Sequence, residues 1–214
     1  MYKYKPTSKE ELKEAIDNEI GVQGLRADLN CINTSLVTDM SELFKYSNFD
    51  GNISEWDVSR VSNMCGMFEG SKFNGDISKW NVSNVKDMSW MFSVSKFNGN
   101  ISEWVVSKVK NMERIFSHSE FNKDISNWDV SNVKNMGGMF TSSKFNGDIS
   151  KWNVSGVTDM RYMFEQATFN QDISNWDVSD NCDIKDMYND CKIEPQFKHG
   201  YVDLSKNIDV DDLY

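Results

Sequence analysis

Residues 73–92 read FNGDISKWNVSNVKDMSWMF, and residues 124–140 read DISNWDVSNVKNMGGMF. They are two copies of one unit, and the unit runs far beyond them. Ile53, Ile77, Ile101, Ile125, Ile149 and Ile173 recur every 24 residues. Trp56, Trp80, Trp104, Trp128, Trp152 and Trp176 follow each of them at +3, and Val58, Val82, Val106, Val130, Val154 and Val178 at +5. Further columns begin at Val61, Met64, Phe68 and Phe73, and nothing is inserted or deleted from 53 to 178. A fixed period with apolar residues at fixed slots means that equivalent side chains stack along one axis, because a single unit cannot bury its own apolar face.

The register extends backwards through Leu29, Ile32, Val37, Met40, Phe44 and Phe49, and forwards through Ile184, Met187, Tyr188 and Ile193. The expectation is an α/β solenoid of about seven coils, right-handed by the crossover rule. The end coils are degenerate, as capping repeats are. Ile-x-x-Trp-x-Val has the spacing of a leucine-rich repeat, and its Trp-x-Val step suits a short parallel strand. The Met-x-x-Met-Phe step suits a helical or 3₁₀ turn. A parallel β-helix is the alternative fold. Residues 1–28 are predicted as a helical cap, with a Ser8/Glu11 capping box and an apolar stripe of Leu12, Ala15, Ile16 and Ile20. Residues 29–196 form the repeat array, and 197–214 a C-terminal cap or acidic tail.

The two quoted segments resemble the BspA-type leucine-rich-repeat region of bacterial surface proteins, over about residues 29–196. The resemblance implies a repeat surface that binds proteins, often at the cell surface, and it brings no catalytic residue. No apolar h-region is visible in MYKYKPTSKEEL, so the expectation from sequence is a cytoplasmic protein, with export as the alternative that the resemblance suggests.

Four cysteines without a C-x-x-C pair and two histidines give no zinc pattern, so no metal and no cofactor is expected. The net charge of −10 disfavours direct binding to nucleic acid or to an anionic membrane. Eleven acids against four lysines crowd residues 172–214. The serine ladders lack a base and an orienting group, and read as turn hydrogen bonding. The ladder Asp76, Asp124, Asp148 and Asp172 shares its slot with Asn52 and Asn100, which favours a backbone cap over a calcium site.

Function is therefore sought in slots that vary from unit to unit. One row beside the expected strand holds Glu55, Lys79, Glu103, Asn127 and Lys151. The next holds Asp57, Asn81, Val105, Asp129 and Asn153. A third carries Trp90, Arg114 and Tyr162, residue types enriched at interface hot spots. The reading is a non-enzymatic module that binds a protein partner through its strand-side surface, with oligomeric state left open. An acidic decoy for a nucleic-acid-binding protein and a carbohydrate-binding surface are the alternatives.

Overall fold

Side-chain hydrogen bonds at up to three places in a unit shape the backbone. In the second unit quoted above, Asp124 Oδ1 accepts the Ser126 N–H and Asp129 Oδ1 accepts the Ser131 N–H, while Asn135 Oδ1 accepts the Gly137 N–H. Each is an Asx turn, the local bond by which Asp and Asn bend a chain. Asn52 and Asn100 make the same bond to Ser54 and Ser102, which explains why Asn and Asp exchange there.

The computed structural model describes residues 2–200. Helix α1 spans Lys9–Gln23 and a single 3₁₀ turn spans Pro195–Phe197. The rest is turns joined to equivalent turns 24 residues away. Parallel bridges link Asp39, Asn63, Asp87, Asn111, Asn135, Asp159 and Asp183 in succession. From each bridge a ladder continues: the N–H groups of Met64, Gly66, Phe68 and Gly70 donate to the carbonyls of Asp87, Ser89, Met91 and Ser93 at 2.8–2.9 Å.

This placement differs from the expected strand. Within Ile-x-x-Trp-x-Val the backbone closes turns instead, with Trp56 N–H donating to Ile53 and Val61 N–H to Val58. The Asx bonds on either side bend that segment, so inter-unit pairing falls on the Met–Phe side. There too the expected helical turn is absent. Consecutive turns close from Met67 to Met64 and from Ser71 to Phe68. Gly66 and Gly70, with φ of 60° and 63°, supply the left-handed third residue that such turns require. Among the described residues no strand is longer than a single bridge.

The buried columns follow the sequence register. Phe44, Phe68, Phe92, Phe116, Phe140, Phe164 and Tyr188 stack with ring centroids 5.5–6.1 Å apart. Phe49, Phe73, Phe97, Phe121, Phe145 and Phe169 form a second column at 6.2–6.4 Å. Each tryptophan of the column Trp56 to Trp176 is 3–5% exposed, and its indole N–H reaches back one unit. Trp80 Nε1 donates to the Ile53 carbonyl at 3.1 Å, while the Trp56 backbone N–H takes the second lone pair of that oxygen at 3.2 Å. One carbonyl thus joins two units, and every buried indole donor is satisfied. A further ladder runs from Asn74 to Asn170, each Oδ1 accepting the backbone N–H of its counterpart in the following unit.

The ends depart from this order. Ser8 caps α1 by accepting the Glu11 N–H, but the Glu11 carboxylate returns to Thr7 and not to Ser8 as a capping box would. Glu19 joins Leu12, Ala15 and Ile16 on the buried face, held by Lys3, the Tyr4 hydroxyl and Gln23. The first unit's edge is paired by the segment ahead of the helix, through the Tyr4–Ile32 bridge. In the last unit Asn181 occupies a valine slot, and Ile184, expected inside, is 40% exposed. Residues 201–214, most of the expected C-terminal cap, lie outside the described residues.

Candidate interaction surface

The turn-and-bridge ladder dictates what the outer surface can carry. Met64, Met67 and Phe68 point into the core, and the residues between them face outward. Two outward rows sit at left-handed backbone positions. The first is Glu42, Gly66, Trp90, Arg114, Gly138, Tyr162 and Asp186, with φ between 51° and 60°. The second is Tyr46, Gly70, Val94, His118, Ser142, Gln166 and Asp190, with φ between 52° and 63°. A residue with a Cβ costs roughly 1–2 kcal/mol in this conformation relative to the right-handed one, and glycine avoids that cost. Two units use glycine in the first row; the others retain side chains there.

Of the residues singled out in sequence, Trp90 and Arg114 are brought together. The Arg114 guanidinium lies 4.9 Å from the Trp90 ring centroid, a cation–π pair, and both are half-buried. Tyr162 stands beyond Gly138, and the missing side chain leaves a recess of about 190 Å³ between Arg114 and Tyr162, with Glu113 and Arg161 at its rim. The Asp159 carboxylate holds Arg161 through two bonds and is itself held well below the usual carboxylate range by that guanidinium.

Glu55, Lys79, Glu103, Asn127 and Lys151 are exposed, as are Asp57, Asn81, Val105, Asp129 and Asn153. They do not lie on the bridged side, because the bridges run elsewhere. Four of them are committed to Asx turns: Asp57, Asn81, Asp129 and Asn153 each accept the N–H of the serine two residues on. The Ser59 and Ser131 bonds hold the carboxyls of Asp57 and Asp129 below their usual range. Val105 makes no such bond and is 56% exposed, beside a shallow recess of about 230 Å³ that Glu103, Asn127 and Asp129 also line. That recess and the one at Arg114 are separate.

Sequence reasoning missed the second outward row, in which Tyr46 and Val94 are 67% and 57% exposed. Its signal was there: this slot varies freely between two slots that hold phenylalanine in every unit but the last. Chemistry is sparse. Among the described residues no group of three or more His, Cys, Asp or Glu is placed to hold a metal ion. Burial pushes the thiols of Cys31, Cys182 and Cys191 up, away from the reactive thiolate. No helix among the described residues is long and apolar enough to cross a membrane.

Columns built from one residue per unit, joined by bonds of constant register, define a 24-residue repeat protein. The chain belongs to the family described as Mycoplasma protein of unknown function, DUF285, which matches residues 11–121 and again 96–201. No curated protein and no solved structure matches the chain.

Proposed function

We propose that the chain is a right-handed, leucine-rich-repeat-like solenoid of the BspA type that binds a protein partner and runs no reaction. The bridged face is the binding side, and Trp90, Arg114 and Tyr162 are its anchors. The observation that carries this reading is the first left-handed row. Glycine would fit all its turns without strain, yet three inner units place there the residue types that dominate hot spots. Glu42 and Asp186 share this backbone conformation, so it is the residue types of the three, an indole, a guanidinium and a phenol, that point to a role for the side chain. The Arg114 guanidinium over the Trp90 ring favours a protein partner over a sugar, which would need that ring face open. The lysines of the array count against an acidic decoy.

The internal repeat supplies the variant that tests this. Trp90→Gly, Arg114→Gly and Tyr162→Gly together install the residue already native at Gly66 and Gly138. Relief of left-handed strain offsets the entropy of added glycine, so thermal stability is expected to change little. Each hot-spot loss is worth about 2 kcal/mol or more, roughly thirtyfold in affinity. In pull-downs from native host lysate, the partner held by the wild-type chain should be lost from the triple variant. An equally stable triple variant that holds the same partner as tightly would end the proposal.

A further inference from the structure

Lys86, Lys110 and Lys134 occupy one slot in three consecutive units, with Arg60 and Lys108 two residues from that slot. All five are exposed, and among the described residues none forms an ion pair. Their hydrogen bonds go to neutral acceptors: Lys108 to Asn84 Oδ1, Lys110 to Asn132 Oδ1 and Lys134 to the Gly156 carbonyl. The nearest carboxylate in sequence, Asp87, is taken by Ser89 and Asn111. A chain of net charge −10 thus carries an uncompensated basic stripe.

The same chain carries the complement. Asp124, Asp148 and Asp172 fill another slot in three consecutive units, are exposed, and form no ion pair among the described residues. Each uses Oδ1 for its Asx turn. Both ladders repeat with the spacing of the array, so three lysines can meet three aspartates in step. We propose that this basic stripe docks the Asp124–Asp148–Asp172 ladder of a second copy of the chain. The two ladders occupy slots ten residues apart in a 24-residue unit, so the contact joins two different patches; it is heterologous and leaves one ladder of each copy open for the next. Lys123 and Lys151 flank the acidic ladder and, with the net charge, keep the association weak.

The repeat again provides fold-neutral variants. Asn holds the acidic slot at 52 and 100 with the same turn bond, and Thr holds the lysine slot at 38 and 158. Sedimentation velocity of the full chain should show concentration-dependent, open-ended association at about 0.1 M salt. There the Debye length of about 10 Å screens the net repulsion but not contacting pairs. At about 1 M salt the chain should be monomeric. D124N/D148N/D172N and K86T/K110T/K134T should each be monomeric at both. Mixed together, the two variants should form a one-to-one dimer and nothing larger, since each supplies one intact ladder. A wild-type chain that stays monomeric at about 0.1 M salt overturns the proposal, as when the stripe serves a different acidic partner. So does association that survives either triple variant, or a mixture that stays monomeric.

Discussion

Replacing Trp104 by alanine is expected to lower the unfolding free energy by about 3–5 kcal/mol, the range for a large buried aromatic. Trp104 is 3% exposed at the centre of the array, 6.3 Å from Phe92 between ring centroids. Its indole N–H donates to the Ile77 carbonyl of the unit before at 3.1 Å. Alanine therefore opens a cavity that the stacked rings cannot collapse into, and leaves that carbonyl with one partner instead of two. Trp104→Phe separates the two effects. It keeps most of the apolar volume and removes only the donor, for about 1–2 kcal/mol. Urea titrations of the three proteins check both values, and a loss under about 1 kcal/mol for the alanine variant would show that the column is not tightly packed. Repeat arrays can unfold in parts, so fluorescence and circular dichroism should be followed together.

A larger contrast is expected from deletions. Removing residues 101–124 joins Asn100 to Ile125, and every column closes up by one place: Phe92 meets Phe140, and Asn98 Oδ1 receives the Asn146 N–H. The shortened chain should fold, with stability reduced by about one unit's share and its interface, as nearest-neighbour arrays behave. Removing residues 101–112 alone takes out half a period. It sets Phe116 against the Trp80 slot and Phe121 against the Val85 slot, and cuts the ladders between the units before the deletion and those after it, while each side keeps its own 24-residue step. This smaller deletion should cost more stability than the larger one and uncouple the two sides, so that they melt separately. Thermal melts of both proteins decide the matter, and equal melting behaviour would contradict the register.

The buried columns could be read in advance because their slots are filled by the same residue in unit after unit. Trp56 to Trp176 and Phe68 to Phe164 all sit inside, as their spacing implies. The path of the backbone between columns was not legible. Asp/Asn-x-Ser occurs repeatedly in a unit, as at Asp76, Asn81 and Asp87, and each instance is a bend made by one local hydrogen bond. Apolar periodicity carries no trace of these bends, so it points to a strand on the Trp-x-Val segment, whereas the bridges form elsewhere. The left-handed rows were hidden for a related reason. Only Gly66, Gly70 and Gly138 advertise positive φ in them, while Trp90, Arg114 and Tyr162 adopt it without any sequence signature. Their residue types marked them as candidates; their shared conformation, and the recess at Gly138, needed coordinates.

Units 24 residues apart lie in direct contact, and units 48 apart do not. Val94 and His118 occupy one outward row in neighbouring units, where the Val94 N–H donates to the Ser117 carbonyl at 2.8 Å. Adjacent paired backbones stand about 5 Å apart, within disulfide reach, whereas two steps give about 10 Å, beyond it. With Cys31, Cys65, Cys182 and Cys191 replaced by serine, the pair Val94→Cys/His118→Cys should oxidise readily to an intramolecular disulfide. The pair Val94→Cys/Ser142→Cys should stay reduced under the same conditions. Oxidation of the second pair in preference to the first, or of neither, would contradict this stacking of units 24 residues apart.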